Sequence, residues 1–129
     1  MDLKQVYKMP EMKQLLLSSA IGLEKENIRV HADGNFVHTP HPFGDKAKHP
    51  FITTDFAECQ VEIGTEVCAN PDQVYDQLEN LHDIVSTTVA VENEEPEYLW
   101  PVSNPPLIAS EESIPVAHFA GQSHEKEVY

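Results

Sequence analysis

The spacing of apolar residues changes along this chain, and each change predicts an element. Met12, Leu15 and Leu16, with Ser19, fall at helical spacing behind Pro10, whose fixed φ suits a first helical turn. A short amphipathic helix with a packing role is expected there. Between residues 22 and 39 the period shortens to two, and Asp33-Gly34 separates Ile28-Arg29-Val30 from Phe36-Val37, which predicts two antiparallel strands joined by a tight turn. Alternation returns after Phe51, where Ala57, Cys59, Val61 and Ile63 interleave with Glu58, Gln60 and Glu62 as in a half-buried strand closed by Gly64 and Thr65. Then Val74, Leu78, Leu81, Val85 and Val89 form a stripe at spacings of four, three, four and four. Asn70-Pro71-Asp72-Gln73 starts it with a side-chain cap, a proline in the first turn and an acid at the positive end of the dipole. This predicts a helix over 71–90.

Between these elements, residues 38–50 hold three of the ten prolines, which predicts an irregular surface loop. Residues 92–97 read as an acidic turn. The proline-rich segment 96–129 reads as extended chain anchored by Trp100, and its last residues, AGQSHEKEVY, supply neither a cap nor a hydrophobic closure, as expected of a C-terminal truncation. The fold class expected is α+β, an antiparallel sheet over 21–64 with flanking helices. At 129 residues the chain is one domain or a portion of a larger one.

Composition narrows the function. With 40% hydrophobic and 23% charged residues a real but modest core is available. Acidic side chains outnumber basic ones 22 to 8, for a net charge of −14, which repels phosphate backbones and anionic lipid and favours cations. Neither nucleic acid nor membrane is expected as a partner. Arg29 is the sole arginine and the five glycines are isolated, so no glycine loop can cradle phosphates and any nucleotide must be held through metals. The longest apolar stretch, residues 15–23, is interrupted by Ser18, Ser19 and Gly22 and falls short of the ~20 residues of a membrane span. A soluble, non-exported, cytoplasmic protein is expected, with Cys59 and Cys68 as free thiols.

The candidate chemistry lies in carboxylates. Glu24 and Glu26 are two apart, so on a strand both share a face with Ile28 and Val30, while Lys25, Asn27 and Arg29 take the other. Acids among aliphatics need a counter-charge, and a hard divalent cation with oxygen ligands supplies one. Asp55 and Glu62 are seven apart, an odd offset that puts them on opposite faces unless a bulge or bend intervenes. On spacing alone the plainer reading of both groups, a solvated sheet face, is preferred. His38 and His41 lack the partners of a zinc site, and Ser18, Ser19, Ser103 and Ser110 lack the flanking glycines of a nucleophile elbow. Trp100 with Tyr98 and Leu99 is read as packing rather than as a pocket.

Several stretches together change that balance. GLEKENIRV with its DGN turn, TPHPFG, HPFITTDFAECQVEI, LENLHDIV and YLWPVSNPP, in this order over about residues 21–106, resemble the opening of bacterial glutamate-cysteine ligases, either free-standing or within the bifunctional glutathione biosynthesis enzymes. The resemblance implies a funnel-shaped antiparallel sheet related to glutamine synthetase. It implies ATP-dependent ligation of the γ-carboxylate of L-glutamate to L-cysteine, with Mg2+ or Mn2+ held by Glu24, Glu26, Asp55 and Glu62 and with Phe56 in the cysteine pocket. The family's members are several times longer, so these residues form a half-site. The glutamate pocket and most of the nucleotide pocket come from sequence beyond Tyr129, and the chain alone is not expected to turn over. Gln60, Val61 and Gly64 depart from the family's more aliphatic run, while the acids are intact.

Two alternatives stand beside this reading. One is a non-catalytic acidic module, derived from the ligase, that binds a cation or a protein partner. The other is a related carboxylate-amine ligase with a different amine acceptor. A truncated ligase should expose apolar surface and self-associate through it, whereas a self-sufficient module should not.

Overall fold

The computed structural model describes residues 2–18, 20–44 and 49–117. The elements run α1 (Leu3–Val6), α2 (Pro10–Leu17), β1 (Glu24–Val30), β2 (Ile52–Thr53), β3 (Gln60–Gly64), α3 (Pro71–Val91) and β4 (Tyr98–Leu99), followed by a 3-10 turn at Glu111–Ser113. The strands form one antiparallel sheet in the order β2-β3-β1-β4.

Helix α3 starts as its sequence dictates. The Asn70 side chain accepts from the Gln73 N–H at 3.0 Å, and Pro71 occupies the first turn, where no N–H is needed. Its stripe packs on one sheet face, where Val85 and Val89 meet Ile52, Val61 and Ile63, with Leu78, Leu81, Leu99 and Phe43 around them. Each such side chain removed from water contributes roughly 1.5–3 kcal/mol, which makes this contact the main source of cohesion.

The turn at Asp33-Gly34 also forms. Gly34 sits at φ +85°, and Asp33 accepts from the Asn35 backbone and side-chain amides, which hold its carboxyl below the usual range. Its second arm is shorter than expected, because Phe36 makes only an isolated bridge to Val30.

Four expectations are corrected. The run from Ala57 to Ile63 is not one strand: β3 begins at Gln60, because residues 56–58 pair instead with the distant 115–117 segment. The loop 38–50 is not wholly superficial, since His41 is buried and Phe43 joins the core. Segment 96–129 is not extended throughout, for Glu111–Ser113 forms a 3-10 turn, and its residues 118–129 lie outside the described residues. Helix α2 forms, but its expected packing does not: Leu15, Leu16 and Leu17 are 63%, 57% and 75% exposed, and Ser19 lies outside the described residues.

Candidate metal centre

Register decides where the acids stand. In β1 and β3, Glu26 faces Glu62, Glu24 faces Gly64 and Ile28 faces Gln60. The Arg29 N–H donates to the Cys59 carbonyl and the Thr65 N–H to the Leu23 carbonyl, so hydrogen-bonded rungs fall on odd residues of β1. Glu26 and Glu62 therefore meet on a rung without backbone hydrogen bonds, where facing side chains stand closest. Two like charges so placed destabilise a sheet unless a cation lies between them. Glu24 is the diagonal neighbour of Glu62, and on the other flank Thr53 Oγ1 donates to Glu62 Oε1 at 3.4 Å.

Asp55 joins through a bend. Gln60 N–H donates to the Ala57 carbonyl, closing a turn ahead of β3, and Gln60 Nε2 donates to Asp55 Oδ2 at 3.4 Å. The backbone between Asp55 and Glu62 is thus irregular, and Gln60, two residues before Glu62, reaches Asp55. Beside the turn, Phe56 is 45% exposed and lines an apolar pocket of about 420 Å³ with Ile28, Phe36, Cys59, Ile114 and Val116.

The donor set suits a hard divalent cation: carboxylates with a neighbouring hydroxyl, oxygen only, the two half-buried acids joined by two exposed ones. As the side chains stand, no three His, Cys, Asp or Glu are gathered tightly enough to hold an ion among the described residues. The backbone register sets Glu26 opposite Glu62, with Glu24 on the diagonal.

The opposite face of β1 holds what the sequence did not disclose. Arg29 is fully buried and donates from Nη1 to Glu97 Oε2 at 2.7 Å, and from Nη2 to the carbonyls of Thr39 and Glu58 at 2.9 and 2.8 Å. Glu97, from the segment read as an acidic turn, is equally buried and also accepts from Asn93 Nδ2. Glu58, expected on a solvated face with Gln60 and Glu62, is buried and accepts from the His41 N–H at 2.7 Å. Nothing local marks these residues, since the partners of Arg29 lie in remote turns. Further along β1, Lys25 Nζ stands 3.2 Å from His82 Nδ1 in a cleft of about 700 Å³ between the strand and α3. Burial lowers the pKa of both groups, and the Lys25 charge lowers that of His82 further. Tyr98, Leu99 and Trp100 line this cleft, while Trp100 Nε1 donates to the Asn104 carbonyl, so the expected anchor is also a pocket wall.

His41 has a measurable consequence. Burial, then the Arg29 charge, pushes its pKa down to about 4, partly opposed by Glu58. The unfolded chain takes up this proton near the ordinary 6.5 and the folded one only near 4, so the unfolded state binds more protons in between. The contribution is intact above 6.5 and is lost as pH falls through about 4, by about 3 kcal/mol in all. Urea midpoints at pH 7.5 and 4.5 should separate more for the wild type than for His41→Phe. Equal separation would show that His41 titrates normally.

A family model described as glutamate-cysteine ligase matches residues 3–129. The chain belongs to the glutamate-cysteine ligase family. The bifunctional glutathione biosynthesis protein of Listeria monocytogenes (strain F2365) is 51% identical over 112 residues, which are 85% of this chain and 14% of that protein. The glutamate-cysteine ligase of Clostridium acetobutylicum is 38% identical over 92% of this chain and 25% of its own length. Among solved structures, the bifunctional glutathione synthetase of Pasteurella multocida superposes with a TM-score of 0.73 at 37% identity, covering 92% of this chain and 16% of that one. The glutamate-cysteine ligase of Francisella tularensis, solved in complex with AMP, gives 0.65 at 28% identity, covering 84% of this chain and 22% of that one. The chain thus spans a quarter or less of these relatives. Within the glutamate-cysteine ligase fold it supplies the strand pair β1 and β3 with its facing acids. Cys59 and Cys68 are both free thiols, and no helix among the described residues is long and apolar enough to cross a membrane.

Proposed function

We propose that this chain is the amino-terminal, acid-bearing portion of a glutamate-cysteine ligase, and that Glu24, Glu26, Asp55 and Glu62 hold Mg2+ or Mn2+ while Phe56 lines the cysteine pocket. In the intact enzyme a γ-carboxylate oxygen of glutamate attacks the γ-phosphorus of ATP and ADP leaves. The cysteine amine then attacks the acyl carbon, an amide bond forms, and phosphate departs. The observation that carries this reading is the facing of Glu26 and Glu62 on the closest kind of rung, with Glu24 diagonal to them.

A divalent ion bound there supplies neutralisation of charge on the phosphate oxygens. The residues of this chain hold and orient. Strands β1 and β3 present carboxylates from rigid backbone, Thr53 steadies Glu62, and the apolar wall at Phe56 keeps water from an acyl group that would otherwise hydrolyse. The isolated arginine is absorbed by Glu97, so the clamping charge must come from metal or from other parts of the ligase. Free thiols at Cys59 and Cys68 fit a reducing compartment, and we place the protein in the cytoplasm.

The acidic-module alternative is less well supported, because the leucines of α2 remain exposed, as expected of a portion whose remainder covers them. ADP release by this chain with Mg2+, ATP, glutamate and cysteine, run beside the same mixture without cysteine, tests whether the chain forms only part of a site. Silence from a folded chain is the expected result and fits a half-site. Cysteine-dependent turnover would mean that copies of the chain complete the site for one another, and would overturn the assignment of a half-site.

A further inference from the structure

We propose that Gln60 is a positioning residue that sets Asp55 on the acid face, an inference that rests on the reading of Asp55 as a metal ligand. Its sequence neighbours would continue a strand back to Ala57, and a regular strand would send Asp55 to the face opposite Glu62. The structure breaks that continuity at Gln60. Its backbone N–H donates to the Ala57 carbonyl, and its side-chain Oε1 accepts from the Ala57 N–H at 2.8 Å. The same amide's Nε2 donates to Asp55 Oδ2 at 3.4 Å. One side chain therefore ties the turn and touches the carboxylate that the turn redirects.

In this chain both ends of the amide are engaged. The amide oxygen accepts from the Ala57 N–H, which has left the ladder, and the amide nitrogen donates to the Asp55 carboxylate. Glutamine carries both on one planar group, whereas a glutamate has no donor and an aliphatic residue has neither. Partners of this kind orient a ligand without touching the ion, and their loss typically costs roughly 10–100-fold in metal affinity. The turn also carries Phe56, next to Asp55, so the same amide holds the apolar pocket wall in place beside the acids.

The test is Mn2+ binding, followed by electron paramagnetic resonance, to an intact ligase carrying this segment. Four forms are compared: wild type, Asp55→Asn, Gln60→Met and the double variant. Gln60→Ala is run in parallel, so that a packing defect peculiar to methionine is recognised. Circular dichroism melts accompany every form. The expected result is a weakening of ~10–100-fold for Gln60→Met and Gln60→Ala, with little added by Gln60→Met once Asp55 is already asparagine. Unchanged affinity in both Gln60 variants, with Asp55→Asn weakened, overturns the positioning role and leaves the metal reading standing. An equal loss from Gln60→Met in the wild-type and Asp55→Asn backgrounds shows that Gln60 acts through the fold and also overturns it. Unchanged affinity in Asp55→Asn removes Asp55 from the site, and the inference falls with that reading.

Discussion

Glu62→Gln, made in an intact ligase carrying this segment, should lower cysteine-dependent ADP formation by a factor on the order of 100 or more, the scale on which one group that stabilises transition-state charge is felt. Glu62 is the centre of the acid face, with Glu26 across one flank, Thr53 across the other and Glu24 on the diagonal. Glutamine keeps the shape and can still accept from Thr53, so the loss is one of charge. The metal-free protein should respond in the opposite direction. Facing carboxylates repel, and relieving the repulsion should raise stability by roughly 0.2–1 kcal/mol when no divalent ion is present. Added Mg2+ should then stabilise the wild type more than the variant, as expected of a ligand that binds only the folded state. Turnover close to wild type, or equal stabilisation by Mg2+ in both forms, would remove Glu62 from the metal site.

The second large effect is on the fold. Glu97→Ala should destabilise the protein by roughly 3–5 kcal/mol, the usual result of leaving one member of a buried ion pair without its partner. The Arg29 and Glu97 side chains are both fully shielded from water, and removal of the carboxylate leaves a buried guanidinium without its counter-charge. Thr39 and Asn93 lose an acceptor at the same time. Against a typical total stability of about 5–15 kcal/mol, this is enough to empty much of the folded population. Replacing both members, as Arg29→Met with Glu97→Leu, should recover most of the loss, because no uncompensated charge remains buried. Urea denaturation of the three forms tests this. A double variant as unstable as Glu97→Ala would mean that the pair is irreplaceable for the contacts of Arg29 to the Thr39 and Glu58 carbonyls rather than for its charge.

These outcomes bear on how much of the molecule could be read from its residues. Helix α3 was legible to within a residue because its cause is local: a cap, a proline and a stripe, all inside one window. The turn at Asp33-Gly34 was legible for the same reason, since a glycine at positive φ next to an aspartate that binds its own backbone needs no distant partner. The shared face of Glu24 and Glu26 followed from the period of a strand. The facing of Glu26 and Glu62 did not, because register depends on which strand pairs with which.

Strand β3 shows where local reasoning stops. Ala57, Cys59, Val61 and Ile63 alternate as a strand should, yet the first two belong to a turn. Backbone hydrogen bonds from Glu58 to Pro115 and from Ala117 to Phe56 draw residues 56–58 to another segment, and both partners lie more than 50 residues on, while Cys59 keeps its carbonyl bond to Arg29. The same holds for Arg29 and Glu97, 68 residues apart, whose mutual burial no window of sequence contains. The apolar face of α2 fails in the other direction: the pattern is correct, yet Leu15 and Leu16 remain more than half exposed.

The sequence by itself determined the α+β class, the long helix, the glycine turn, the acidic character and, through its motifs, the glutamate-cysteine ligase family. The period of a side-chain pattern and the chemistry of a cap are properties of neighbours along the chain. Only the tertiary structure decided that Glu26 faces Glu62, that the strand breaks at Gln60 beside Asp55, and that the single arginine is paired with a buried glutamate. Each of these depends on segments far apart in sequence, and their pairing is selected by the packing of the whole chain.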